Sequence, residues 1–532
     1  MFKIKWLFGI PVIVLFNMFS TFCCALDYKV GPGQATATIG DVPWESLNPG
    51  DHVYIHWRSD NYKEKWVIGR SGTAGEPIIV SGVPGPQGQL PVIDGNNATT
   101  RGALDYWNER RGLIKLGGSN APPDSIPSHI IIEKLDLRSA RPPFTFFNSD
   151  GEQEEYSTNA ASIYAEVGQH ITIRNCIIHD SGNGIFIGAR GGDTQDILIE
   201  SNYIYDNGIV GRYYEHNTYT AAIGITYQYN VMGALRAGAG GNNLKDRSAG
   251  LVVRHNWIEN GNRQLDLVDA EDTDVIVNHP AYRKTHVYGN VLKEADGEGN
   301  SQMVHYGGDS GNEAIYRKGT LFFYNNTIIS TRSGNTTLLR LSSNDEHGDV
   351  HNNIIYPTAA GNRLALVGSN GRLTIRHNWL KSGWQISHSS FGGTIIDDAS
   401  SIEGITPGFV DFSQDDFHLE FSSSALDAGI ALHPDLLANH PLTQQYRYHR
   451  QVENRIDDGN LDPGAFETDQ GISGDVDGSG VVDLTDSILA LRIVAGFDDA
   501  LEFPSTSDIG EDGKVTLEEV LHSLLSVAGL LD

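Results

Sequence analysis

Leu251-Val-Val-Arg-His-Asn256-Trp-Ile258 and Leu373-Thr-Ile-Arg-His-Asn378-Trp-Leu380 are near copies of one another, far apart in the chain. Each is an alternating apolar strand, an Asn, and a further apolar pair. The pattern recurs in Ile171-Thr-Ile-Arg-Asn175-Cys-Ile-Ile178, Ile197-Leu-Ile-Glu-Ser-Asn202-Tyr-Ile-Tyr205 and Leu321-Phe-Phe-Tyr-Asn-Asn326-Thr-Ile-Ile329. With Asn230, Asn290 and Asn353 there are eight marks, separated by 27, 28, 26, 34, 36, 27 and 25 residues. A period of this size is the signature of a solenoid. Period-two alternation punctuated by Gly, Asn and Asp makes each coil β rather than helical. Asn suits the bend between two strands because it tolerates left-handed backbone, and stacked coils would align these side chains into a ladder. The two long gaps predict insertions around 262–285 and 294–318.

Composition agrees with such a fold and narrows the function. The 532 residues are 39% hydrophobic with 60 Gly and 4 Met, enough apolar material for a large core and many tight turns. The formal net charge of −29 argues against a general nucleic-acid binder and against docking on anionic lipid. At the N-terminus Lys3 and Lys5 precede an apolar run from Trp6 to Phe16 and small residues at Cys23 and Ala25. This is the pattern of a secretory signal, assigned to 1–25; the run is too short to span a membrane. Secretion to the exterior, the cell surface or a periplasm follows. Cleavage removes two of the 3 Cys, leaving Cys176 in a strand as a packing residue.

The repeat resembles the right-handed parallel β-helix of the pectate-lyase superfold. The opening series Leu47-Asn-Pro-Gly-Asp51-His-Val-Tyr-Ile55, Ser71-Gly-Thr-Ala-Gly-Glu-Pro-Ile-Ile-Val80 and Pro91-Val-Ile-Asp-Gly95 resembles the first coils of secreted β-helix proteins. So does the close, with Asp416-Phe-His-Leu419, Ser424-Ala-Leu-Asp-Ala-Gly429 and Gly464-Ala-Phe-Glu467. The resemblance covers roughly residues 27–468, and the β-helix domain is assigned to 26–470. It implies an all-β solenoid. It leaves the chemistry open, since the superfold hosts lyases, hydrolases and non-catalytic adhesins.

Residues 471–532 form a separate module with 13 acidic and 2 basic residues. In Asp475-Val-Asp477-Gly-Ser479-Gly480-Val481-Val-Asp483-Leu-Thr-Asp486 oxygen donors fall at loop positions 1, 3, 5, 9 and 12, with the Val481 carbonyl at 7 and Gly at 6. That is the EF-hand layout for calcium. A second loop offers Asp508, Asp512, the Lys514 carbonyl, Thr516 and Glu519, with Gly510 where a ligand would stand, so a weaker site is expected. Helices are predicted over Ser487–Ala495 and Leu517–Val527. Two loops and two helices resemble a dockerin module, which implies a cohesin-like protein partner; a calcium-stabilised cap is the alternative.

Uronate lyases on this fold need a base, a cation or metal beside the substrate carboxylate, and an acid for the leaving oxygen. The segment Asn242-Asn-Leu-Lys245-Asp-Arg247-Ser248 supplies candidates, with Lys245 and Arg247 on one side of a strand. Arg247 would lower the lysine pKa and favour a neutral base, or itself pair with the substrate carboxylate. His216 and Tyr219 fall one coil earlier and Asp266 one coil later, the last as orienter or acid. Arg263 and His305 are further substrate-binding candidates, and the stretch His305-Tyr306-Gly-Gly-Asp309 would rim the same groove. The segment is distantly similar to the chondroitinase B and alginate lyase family, whose lysine base matches Lys245. That family's acidic calcium ligands fall here at Gly238 and Gly240, and its arginine near Asp266 and Val268, so its calcium site does not carry over. Asp266, Asp269, Glu271 and Asp272 would alternatively serve a glycoside hydrolase. The expectation is a secreted polysaccharide lyase acting on a uronate-containing glycan, with a non-catalytic carbohydrate-binding β-helix or a glycoside hydrolase as alternatives.

Overall fold

The computed structural model describes residues 25–468 apart from 124, 457 and 458, and in the tail 474–477, 481–497 and 514–530. The proposed signal segment, except Ala25, and the loop ligands Ser479, Asp508 and Asp512 lie outside the described residues.

The chain winds through three long sheets of 13, 11 and 13 strands. A typical coil gives one strand to each: Ile223–Gln228 to the first, Val231–Met232 to the second and Leu244–Asp246 to the third. The next coil pairs with it in parallel at all three, through Ala249–Arg254, Trp257–Glu259 and Leu265–Leu267. This is a parallel β-helix. Alternation decides which side chains enter it. Ile197, Ile225 and Leu251 stack in register, as do Ile199, Tyr227 and Val253, and all six are buried. Each such aliphatic side chain contributes about 1.5–3 kcal/mol by leaving water. No helix among the described residues is long and apolar enough to cross a membrane.

The asparagine ladder forms, with one change at its start. Asn202, Asn230, Asn256, Asn290, Asn326, Asn353 and Asn378 each accept from, or donate to, the equivalent side chain one coil on, at 2.9–3.1 Å. The side-chain oxygen also accepts the backbone N–H of the preceding rung, as Asn256 does from Asn230 at 3.0 Å. Cys176, rather than Asn175, holds the first rung, its N–H donating to Asn202 at 3.0 Å. The left-handed residue is the one before each rung, such as His255, Asn325, Asn352 and His377, with φ between 48° and 55°. The rung itself is selected for its amide, which pairs along the stack, and not for its tolerance of positive φ. Cys176 is buried and free, its thiol pushed up to about 12 by burial, as befits a packing residue.

Both expected insertions are present. The first carries a short helix, Asp274–Val277, and the turn Pro280–Arg283. The second is narrower than 294–318, because Gln302–Tyr306 within it is a regular strand of the third sheet; the extra chain follows that strand. After Gly404 the chain folds back, and Phe409, Phe417, Tyr446 and Phe466 cluster with Trp257 and Trp379 of the second sheet.

In the tail the helices are Leu484–Val494 and Leu517–Val527. The first starts three residues before the expected Ser487, because the Asp483 side chain caps it and Asp486 closes a capping box. Thr516 and Glu519 do the same for the second. Val476, Ala490, Val515 and Val520 form a small core between them.

Candidate active site

Third-sheet strands carry inward–outward–inward triplets: Thr218-Tyr219-Thr220, Leu244-Lys245-Asp246, Leu265-Asp266-Leu267, Val304-His305-Tyr306 and Leu339-Arg340-Leu341. Parallel register lines up their middle residues, so Tyr219, Lys245, Asp266, His305 and Arg340 stand in one outward row. Neighbours in such a row are one strand spacing apart, about 4.8 Å. Upstream the row continues through Phe186 and Tyr164, whose rings stack at 5.1 Å. A second asparagine series, Asn207, Asn217 and Asn243, bonded amide to amide at 2.9 Å, braces the turns that enter these strands.

Lys245 is almost wholly buried, and its Nζ donates to Asp266 Oδ2 at 3.0 Å and to Asp309 Oδ2. Burial works against its charge, but Asp266 and Asp309 outweigh it and hold the ammonium above its ordinary value. The expected neutral lysine base is therefore corrected: two carboxylates, neither of them one-coil neighbours of Arg247 in the strand, decide its protonation. Arg247 does lie on the same side, its Nη2 donating to Asp309 Oδ1 at 3.0 Å and pairing with Glu271 at 2.8 Å. Its Nε donates to Tyr219 Oη at 3.0 Å.

Asp266 is the hub. Oδ2 accepts from Lys245 and from Asn242 Nδ2 at 2.7 Å, and Oδ1 faces His305 Nδ1 at 2.8 Å. Although burial opposes it, the His305 hydrogen bond and the charges of Lys245 and Arg263 keep this carboxyl well below its usual range. Of the two roles expected for it, an ionised Asp266 fits the orienter. Arg263 stands 3.8 Å from Asp266 Oδ1 and donates to Gln302 at 2.9 Å. His216 Nδ1 accepts from the Asn242 N–H at 2.8 Å, and its ring meets Tyr219 edge-on at 5.6 Å. Burial, with Lys245 nearby, drops it to about 3, so it is neutral with its proton on Nε2.

In sequence, Asp309 is read only as part of the His305–Asp309 stretch rimming the groove. It stands on the second insertion, which is fastened at both ends. The Asp309 N–H donates to buried Asp269 at 2.7 Å. Arg317, fully buried, donates to Val268 O at 2.9 Å, Ser248 O at 2.8 Å and Asp246 Oδ1 at 3.0 Å. Of the carboxylates expected to serve a glycoside hydrolase, Asp269 is engaged in this fastening, Asp266 in the row and Glu271 with Arg247 at 2.8 Å. Asn242 and Ser342, which also touch the site, carry no motif of their own.

The row is open. A hollow of about 690 Å³ beside Trp57 and Arg450, and one of about 370 Å³ beside Trp257 and Tyr448, include second-sheet residues in their lining and none of the row. Tyr213 and Tyr214, on the loop leading to His216, are 67% and 74% exposed. In the tail, carboxylate oxygens of Asp475, Asp477 and Asp486 lie within 4.8 Å of one another.

No protein-family model matches the chain, and no curated protein matches it. Among solved structures it is similar to pectate lyase Pel9A (12% identity, 83% of this chain and 96% of that one, TM-score 0.44). A rhamnogalacturonan lyase gives 12% identity over 77% and 97%, with TM-score 0.42. An alginate lyase from Paenibacillus sp. str. FPU-7 gives 13% over 66% and 91%, with TM-score 0.36. At these values the likeness adds nothing to the coil register as evidence of fold.

Proposed function

We propose that the chain is a secreted enzyme that cleaves a uronate-containing polysaccharide by β-elimination. Asp309 carries this reading. Its two carboxylate oxygens are held one by Lys245 and one by Arg247, so a partly exposed carboxylate already occupies a cationic seat beside the outward row. A substrate uronate taking that seat would be gripped in the same way, the planar guanidinium and the ammonium each supplying charge-assisted hydrogen bonds. Neutralising that carboxylate is what makes the adjacent C–H acidic enough to lose its proton. Lys245, protonated between carboxylates, fits the roles of clamp and proton donor to the leaving oxygen. Tyr219 Oη, fixed by Arg247 Nε, is placed as the base: as its phenolate it takes the proton from the carbon beside the uronate carboxylate while Lys245 protonates the leaving oxygen. His216 Nε2–H is a donor for a sugar oxygen, and Asp266 keeps Lys245 and His305 aligned.

For the tail, the reading is a calcium-binding dockerin-like module. Three carboxylates converging within 4.8 Å repel one another unless a hard cation lies between them, and Asp475, Asp477 and Asp486 would be its ligands in the described half of the first loop. A cohesin-like partner for this module remains part of the same proposal.

Incubation with pectate, alginate and glycosaminoglycans tests the enzyme reading. New ultraviolet absorbance from unsaturated uronate ends, lost in Lys245→Ala and Tyr219→Phe, is the expected result. New reducing ends without absorbance would make it a hydrolase, and retained binding without any product would make it a binding protein.

A further inference from the structure

Three side chains on successive coils of the third sheet form a chain of hydrogen bonds whose Ser342 end β-elimination leaves unused. Asp266 Oδ1 stands 2.8 Å from His305 Nδ1, and His305 Nε2 stands 2.8 Å from Ser342 Oγ. Asp266 is locked in place, because its other oxygen is held by Lys245 and Asn242. With the ionised carboxylate on Nδ1, the imidazole carries its proton there, and Nε2 presents a lone pair to the serine hydroxyl. Burial keeps the ring neutral, below its ordinary pKa, despite Asp266. Ser342 follows the strand Thr336–Leu341 and is partly exposed. Gly307 lies against its hydroxyl: a Cβ there would come within 2.5 Å of Ser342 Oγ, so a glycine leaves the space that any larger residue would fill.

A structural role for Ser342 is visible too. Its Oγ accepts from the Gly308 N–H at 3.0 Å and can donate its proton to the Gly308 carbonyl at 3.0 Å, the alternative to donating it to His305 Nε2. Tying down a turn needs those two contacts. It does not need a neutral histidine aimed at the same oxygen, nor a buried carboxylate to fix that histidine's tautomer.

We infer that Ser342, His305 and Asp266 form an acyl-transfer centre that hydrolyses an ester carried by the glycan, of which an O-acetyl sugar is the simplest case. Ser342 Oγ attacks the acyl carbon while its proton passes to His305 Nε2. The tetrahedral intermediate collapses, the sugar oxygen leaves with that proton, and the acyl group stays on Ser342. Water then attacks the acyl-enzyme, giving a proton to His305 Nε2. On collapse that proton returns to Ser342 Oγ, and the carboxylic acid departs. Ser342 and His305 are the catalytic residues and Asp266 positions the imidazole. The choice of a glycan ester rests on the uronate seat proposed above. Lys245, Asp266 and His305 are consecutive in the row, so a uronate seated at Lys245 and Arg247 places its neighbouring sugar within about 10 Å of His305, two strand spacings along. The acyl chemistry itself does not depend on that seat.

The test uses the full chain with p-nitrophenyl acetate and with diisopropyl fluorophosphate, neither of which needs the uronate seat, and then with an O-acetylated pectin. Expected are a phosphoryl adduct on the Ser342 peptide, and acetate release that falls at least about 100-fold in Ser342→Ala and in His305→Ala while circular dichroism stays that of the parent. Asp266→Asn is expected to shift the pH profile of the remaining ester hydrolysis. No adduct on Ser342, an ester-hydrolysis rate in Ser342→Ala within threefold of the parent, or an unshifted profile in Asp266→Asn overturns the assignment. Hydrolysis of p-nitrophenyl acetate through Ser342 without release of acetate from the pectin overturns the glycan ester as substrate. Because the readouts are acyl release and labelling, a failure here is distinct from failure to generate unsaturated ends.

Discussion

Replacing Asp309 by alanine is expected to tighten binding of a carboxylated sugar, the reverse of what loss of an active-site residue usually does. In the free protein the Asp309 carboxylate occupies the seat, so a ligand binds only to the fraction of molecules in which that side chain has swung away. Hydrogen bonds to charged groups contribute about 1.5–3 kcal/mol each. Asp309 makes two, to Lys245 and Arg247, but its side chain is 32% exposed, so solvent screening reduces the sum. A net hold of about 2 kcal/mol leaves the seat open in roughly one molecule in thirty, and the apparent dissociation constant is raised by that factor. The variant keeps the loop in place, because it is the backbone N–H of residue 309 that rests on Asp269 and Arg317 that anchors the far end. Titration calorimetry with oligogalacturonates and oligomannuronates should then show binding about 30-fold tighter in Asp309→Ala than in the parent. Asp272→Ala, which removes an exposed charge from the first insertion, controls for the general effect of lowering the protein's acidity. Binding in Asp309→Ala that is no tighter than in that control would refute the idea that Asp309 occupies a uronate seat.

Arg317→Met should destabilise the β-helix by about 3–5 kcal/mol, since it strands the buried Asp246 carboxylate; a urea midpoint equal to the parent's would contradict this. Asn290→Ala removes donors to Val253 O, Tyr288 O and Asn326 and an acceptor for Asn256, and is expected to cost about 2–4 kcal/mol in the same assay. His216, His255 and His286 are each lowered by burial to about 3 from 6.5. The unfolded chain binds protons at these sites below pH 6.5 while the folded chain does not until about 3, so stability is full above 6.5 and falls as pH drops through that window. At pH 5 each costs about 2 kcal/mol, measurable as a lower urea midpoint than at pH 7. Chelation of calcium should reduce helical circular dichroism from the tail and leave the sheet signal intact, and Asp486→Asn should mimic it; unchanged helicity in both would remove the calcium site.

The sequence revealed the coils because their strongest feature is local. Each asparagine rung bonds to an identical residue one coil away, so the requirement repeats in the chain with the coil's own period. The same regularity explains how Tyr219, Lys245 and Asp266 were placed on neighbouring coils from spacing alone, before either insertion breaks the count. What spacing missed depends on contacts between coils of unequal length. Asp309 reaches Lys245 only because an insertion folds back over the row, and no arithmetic on coil length predicts that return. The protonation of Lys245 was misjudged for the same reason: Arg247 is its neighbour in sequence, whereas Asp266 and Asp309 are its neighbours in space. The triplets around Tyr219, Lys245, Asp266, His305 and Arg340 were a readable signal that alignment by the asparagines alone passed over. They mark the outward position of each third-sheet strand and would have brought Ser342, two residues beyond Arg340, beside His305.

A β-helix fixes the spacing between reactive groups but not their number. Along the row every residue is held about 4.8 Å from the next, and the backbone cannot bring two of them closer. Groups that must approach to hydrogen-bond distance therefore use long side chains that lean along the axis, or else come from outside the stack. Lys245 leans to Asp266, His305 spans from Asp266 to Ser342, and Asp309 arrives on an insertion. Such an insertion is useful only if it is held as rigidly as the coils, and a surface loop of this length would not be. The fully buried Arg317–Asp246 pair supplies that rigidity from inside the third sheet, directly beneath Lys245 and Arg247, since Asp246 lies between them in the chain. The buried ion pair thus holds the insertion over the two cations to which the proposed chemistry is assigned.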